Sequence, residues 1–125
     1  MINMGREIEF VNRWLKEKHP NPPLWIRPRL GKAAFPEQAR LLSVTLRFPD
    51  AIFIEDNVVH IVEAKLAKLP EGIGQLQLYN QLFDETPEFE PFSSLPRRLI
   101  FLTDRLDRNV KALAESNNIN YVIFD

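Results

Sequence analysis

Two short clusters of charged residues stand out by type and spacing: Pro49-Asp50, and Glu63-Ala64-Lys65 thirteen residues after the aspartate. The chain between them is rich in Val, Ile and Phe and is broken by Asp56-Asn57, a tight-turn signal, so it reads as an antiparallel hairpin. In a hairpin the start of the first strand lies beside the end of the second, which brings Asp50 to Glu63. Side chains alternate along a strand, so Glu63 and Lys65 point to one face and Ala64 to the other. Two carboxylates and an ammonium then share one small area. Mg²⁺ accepts oxygen ligands in near-octahedral geometry, takes one or two carboxylates, and leaves its other positions to water and phosphate oxygens. Asp50 and Glu63 are the ligand candidates, with the Ala64 carbonyl as a backbone addition. Lys65 beside them would orient or help deprotonate a water, or offset charge on pentavalent phosphorus. The chemistry expected is attack of water on a phosphodiester, with no covalent enzyme intermediate. A Glu-x-Lys at a strand end is by itself usually a surface ion pair of small energetic value. Here it ends a Val-Val-His-Ile-Val run that reads as buried, and a charged pair continuing an interior strand needs a reason.

The elements that must position these residues follow from the periodicity. Met4 to Lys18 reads as a helix, with Ile8, Val11, Trp14 and Leu15 at helical spacing and the His19-Pro20-Asn21-Pro22-Pro23 cluster stopping it. Leu24 to Leu30 is a short extended segment that Pro28 demotes to an edge or an irregular strand. Gly31 to Gln38 reads as a loop. Arg40 to Arg47, Asp50 to Glu55 and Val58 to Lys65 read as three strands. Pro70 and Glu71 open a second helix running to about Phe83. A proline-rich acidic loop spans Thr86 to Pro96. Arg98 to Thr103 is then a buried strand, Asp107 to Asn117 an amphipathic helix and Ile119 to Phe124 a closing strand. The last three form a β–α–β unit, so their strands should be parallel with a right-handed crossover. The fold class expected is α/β, a mixed central sheet flanked by helices in one domain of 125 residues.

Pro49-Asp50 followed by Glu63-Ala64-Lys65 resembles the PD-(D/E)XK motif of restriction-endonuclease-like nucleases, whose core order is α-β-β-β-α-β. The likeness extends over nearly the whole chain. Gln75-Leu76-Gln77-Leu78-Tyr79, on the helix after the motif, resembles the Gln-x-x-x-Tyr signature of the RecB-like branch. Residues four apart share a helical face, so Gln75 and Tyr79 point the same way, and the resemblance implies that both line the catalytic cleft. It also implies that a glutamate on the first helix completes the metal site. Glu7, on the side shared with Val11 and Trp14, is preferred over Glu9, which sits with Arg13 and Lys16 on the wet face. The Gly5-Arg6-Glu7 opening is similar, over a short stretch, to the first helix of archaeal Holliday junction resolvases. The implied activity is Mg²⁺- or Mn²⁺-dependent hydrolysis of DNA.

Composition narrows the alternatives. With no cysteine, disulfides, thiolate metal sites and cysteine nucleophiles are excluded. A formal net charge of −1 argues against binding nucleic acid by bulk positive charge. The charge is unevenly spread, however: the cations Arg27, Arg29, Lys32, Arg40 and Arg47 fall in one stretch, and the acids Asp84, Glu85, Glu88 and Glu90 in another. Arg27, Arg29, Lys32 and Lys68 are candidates for phosphate contacts, and Trp25 for stacking on a base. His60, alternating with apolar residues, reads as structural. No apolar run approaches membrane-spanning length and no secretory signal is visible, so the expectation is an intracellular, cytoplasmic protein with no membrane partner. Ten prolines and four glycines lean toward a thermophilic source. DNA is the expected partner, met as a stand-alone nuclease, a homodimer or a subunit of a larger nucleic-acid-processing assembly. Two readings compete: a catalytically silent nuclease-like fold that binds nucleic acid or a partner, and a small interaction domain from a mobile element or virus. The latter would expose an apolar patch, for which Phe89, Pro91, Phe92 and Leu95 are available unless they dock on the body.

Overall fold

A computed structural model describes residues 4–31 and 48–125. Helix α1 (Met4–Lys18) is followed by β1 (Leu24–Ile26), β2 (Ala51–Glu55), β3 (Val58–Ala64), α2 (Glu71–Phe83), β4 (Arg97–Thr103), α3 (Arg108–Ser116) and β5 (Ile119–Ile123). The sheet has the order β1-β2-β3-β4-β5. Its first three strands run antiparallel, whereas β4 and β5 lie parallel to β3 and to each other. This is the mixed sheet with flanking helices that the residue pattern calls for. The strand expected over Arg40–Arg47 lies outside the described residues.

The hairpin turns where the sequence says it should. Asp56 and Asn57 both have positive φ, 56° and 60°, as a two-residue turn that follows the strand twist requires. That turn sets the register, with Glu55 opposite Val58 and Ala51 opposite Val62. Strand β1 is shorter than the Leu24–Leu30 segment. It stops because Arg27 enters the left-handed region, φ 47°, just before Pro28.

Alternation along the strands divides the core into two layers. On one face Ala51, Phe53, Val62, Ala64, Ile100, Leu102 and Phe124 pack under Phe10, Val11, Trp14 and Leu15 of α1. On the other, Ile52, Ile61, Leu99, Phe101 and Ile119 pack under α2 and α3. The segment after α2 is a 3₁₀ helix (Pro87–Phe92) that docks on the body: Phe89 is buried, and Trp25 packs edge-on to Phe89 and Phe92. Among the described residues, no helix is long and apolar enough to cross a membrane.

Helix α2 can lie this close to the sheet because of Gly72. A Cβ there would collide with the Phe101 ring at Cε2 and come within 3.0 Å of Lys65 Cγ. Gly72→Ala is therefore expected to destabilise by roughly 1–3 kcal/mol through overpacking, measured by urea denaturation. Gly74, two residues on, has nothing within 4 Å of the same atom. Gly74→Ala should be stabilising by about 0.5–1 kcal/mol, as expected for a helix interior. Equal effects at the two positions would show that contact with Phe101 does not limit the approach of α2.

Candidate active site

Continuing the hairpin register one residue past Ala51 and Val62 sets Asp50 opposite Glu63. The Asp50 N–H donates to Val62 O at 3.0 Å, and Asp50 Oδ2 accepts from the Ala64 N–H at 2.7 Å. The carboxylate thus takes the place of a strand partner for the end of β3, which fixes its orientation. Glu63 points to the α2 face, where its Oε1 accepts a hydrogen bond from the Tyr79 hydroxyl at 3.0 Å. Lys65 follows on the same face, half-buried, with its N–H donating to Leu102 O at 2.9 Å.

Asp50 and Glu63 are buried, 7% and 8% exposed, in a protein whose other carboxylates mostly face water. Their electrostatics follow from that. Burial, then the nearby Asp50 charge, pushes the Glu63 carboxyl up to about 8, against the pull of the Tyr79 hydroxyl and Lys65. Asp50 is also raised, by burial first and by the charge of Glu7; the Ala64 N–H and Arg27 oppose this. Burial and the Glu63 charge likewise raise the Tyr79 hydroxyl, so it remains a proton donor to Glu63. Two adjoining carboxyls, both raised by burial and Glu63 also by the Asp50 charge, form a site that a cation would relieve.

The donor set suits a hard divalent ion: two converging carboxylates, with room in its preferences for water and phosphate oxygens. Glu7 stands near enough to raise both carboxyls, but its Oε2 accepts from the Leu66 N–H at 3.0 Å. Among the described residues, no three acids or histidines gather closely enough to cage a metal. Glu9 is exposed and faces a separate hollow of about 300 Å³ with Arg6, Arg13 and Asp104.

The remaining candidates divide by position. Gln75 shares the α2 face with Tyr79, and its Oε1 is buried without a hydrogen-bond partner. Arg27 Nη1 lies 3.5 Å from Asp50 Oδ1. Arg29 lines a cavity of about 460 Å³ with Trp25, Phe48 and Phe89. Lys68 is exposed just past the end of β3, with φ 51°. Lys32 lies outside the described residues. His60 is away from this end of the sheet, buried, stacked on Phe53 and within 3.3 Å of Glu55 O through Nε2. Sequence reasoning had no signal for the Arg27–Asp50 pair or for Thr103. The latter is fully buried on the strand beside Lys65, and its Oγ1 also lacks a partner.

The fold, a five-stranded mixed sheet flanked by helices, is similar to that of solved endonucleases. A repair endonuclease from Pyrococcus abyssi superposes with a TM-score of 0.60 at 13% identity, over 95% of this chain and 46% of that one. EndoMS in complex with double-stranded DNA gives a TM-score of 0.60 at 13% identity, over 100% of this chain and 46% of that one. The Vibrio cholerae protein VC1899 gives 0.53 at 16% identity, over 92% and 28%. The chain therefore spans less than half the length of the solved structures it resembles. No protein-family model and no curated protein sequence matches it.

Proposed function

We propose that this chain is a metal-dependent nuclease of the RecB-like PD-(D/E)XK branch, hydrolysing phosphodiester bonds in DNA. The observation that carries the reading is the buried Asp50–Glu63 pair at one end of the hairpin, with Lys65 on the same face of an endonuclease-like sheet. Asp50 and Glu63 would hold Mg²⁺ or Mn²⁺, with Glu7 and the Ala64 carbonyl as further candidates. When bound, the ion supplies Lewis acidity toward a phosphate oxygen and toward the attacking water. Tyr79 donates to Glu63 Oε1, which fixes that carboxyl and would leave its second oxygen for the ion. Lys65 orients the water and offsets the negative charge that grows on the phosphoryl oxygens. Gln75 offers its buried amide oxygen to the same water or to the Lys65 ammonium. The water's oxygen bonds to phosphorus as it gives up a proton to solvent, the bond to the leaving sugar oxygen breaks, and that oxygen takes a proton from solvent. Arg27, Arg29, Lys32 and Lys68 engage flanking phosphates.

The deciding experiment is cleavage of end-labelled single-stranded, duplex, flapped and four-way-junction DNA with Mg²⁺, Mn²⁺ or EDTA, with Asp50→Ala alongside. Cleavage that needs the metal and is lost in the variant is the expected result. Retained DNA binding with no cleavage of any substrate would move the chain to the silent, partner-binding reading.

A further inference from the structure

Arg27 sits in an unusual place for a phosphate-binding arginine. It follows β1 directly with φ 47°, a conformation that costs energy for a residue with a Cβ. Its N–H donates to Asp50 O at 3.1 Å, so the kink is fastened to the strand that carries the site. Its guanidinium then reaches back to 3.5 Å from Asp50 Oδ1. The other oxygen of that carboxylate, Oδ2, is already committed to the Ala64 N–H. Arg27 therefore covers the oxygen that is left for a cation. The contact is longer than the roughly 2.7–2.9 Å of a charge-assisted hydrogen bond. Only the arginine end of the pair is open to water: its side chain is 35% exposed, against 9% for Asp50, so solvent can receive the guanidinium if the contact is broken.

We infer that Arg27 is the resident counter-cation of this site: it neutralises Asp50 Oδ1 until a divalent cation takes that oxygen, and the displaced guanidinium then engages the phosphodiester. The inference rests on the nuclease reading and adds an order of events to it. A divalent ion on Oδ1 would repel a guanidinium 3.5 Å from the same oxygen, so metal entry drives the arginine off. The pinned backbone keeps the released side chain beside the site, where an incoming phosphate offers two oxygens to its planar fork. Arg27 is thus a positioning residue whose partner changes from carboxylate to phosphate.

The test is calorimetric titration of Ca²⁺ into the full chain without DNA, followed by binding of a labelled DNA oligonucleotide in saturating Ca²⁺ across a salt series. Arg27→Met keeps the aliphatic stem and removes the charge. It is expected to tighten Ca²⁺ binding about tenfold, an order set by one unit charge near the site at intermediate dielectric. It should also reduce the salt slope of DNA binding by about one. Arg27→Lys, which retains the charge if the methionine variant does not fold, should bind Ca²⁺ as the wild type does. Lys18→Met removes one positive charge at the exposed C-terminal end of α1, away from the site, and should leave Ca²⁺ affinity unchanged. Unchanged or weaker Ca²⁺ binding in Arg27→Met, with normal binding by the wild type, would overturn the exchange and leave the nuclease reading standing. A wild type that binds Ca²⁺ no better than Asp50→Asn would overturn both.

Discussion

Lys65→Met is expected to slow metal-dependent cleavage at least about a thousandfold without weakening Ca²⁺ affinity, with a melting temperature within a few degrees of the wild type. The size follows from removing a preorganised cation from a water-poor site where negative charge grows in the transition state. Methionine is the informative replacement because the stem of Lys65 has a packing role. Its Cγ lies beside Gly72, and shortening it would leave space under α2 and blur chemistry with stability. Metal affinity should hold because Lys65 is not a ligand, and loss of its positive charge favours a cation if it changes anything. Glu63→Gln is the contrasting substitution: it keeps an oxygen for the Tyr79 hydroxyl but should lose both Ca²⁺ binding and cleavage. Single-turnover cleavage in Mg²⁺ and Ca²⁺ calorimetry on the two variants separate the roles. A Lys65→Met protein that cuts within tenfold of the wild type would remove Lys65 from the chemistry.

The hairpin was readable because Asp56-Asn57 sets both the turn and, through it, the pairing of every residue back to Ala51 and Val62. Once that register is known, the meeting of Asp50 and Glu63 needs no further information. The i, i+4 spacing of Gln75 and Tyr79 likewise places them on one helical face, and Tyr79 reaches Glu63 from it. What the pattern could not show depends on contacts between distant segments. The Asp50 hydrogen bond to the Ala64 N–H leaves no mark in hydrophobic periodicity, nor does the bond from Glu7 to the Leu66 N–H. Glu7 was preferred over Glu9 from the face of α1, but what its carboxylate binds depends on where that helix docks. Arg27 read as one of several loop cations, because nothing local announces a left-handed residue followed by a proline. The acidic loop after α2 was ambiguous for a related reason. Phe89 and Phe92 are buried or exposed according to whether Trp25, more than sixty residues earlier, turns to meet them.

The buried carboxyls should also make the metal-free protein lose stability as the pH rises through neutrality. Glu63 has its proton held up to about pH 8 in the folded chain, against 4.5 as the ordinary value, because burial and then Asp50 oppose its charge. The folded state therefore binds that proton more tightly than the unfolded state. Its contribution is complete below about 4.5 and is lost as the pH climbs through 8. Asp50, shifted in the same direction, adds to the trend. His60 runs the other way: burial lowers it below 6.5, so its cost to the fold appears as the pH falls through that value. The two effects separate above 6.5, where the carboxyls alone should set the slope. Thermal melts in EDTA are expected to drop by about 10 °C between pH 6.5 and 9, and Glu63→Gln should flatten the curve. A divalent cation should reverse the slope, since it replaces the proton between the carboxylates, and binding should release up to about one proton near pH 7. Calorimetry in two buffers of different ionisation heat measures that release. A wild-type melting temperature that rises through this interval in EDTA would mean that Glu63 ionises freely, and the pair would no longer be a site waiting for a cation.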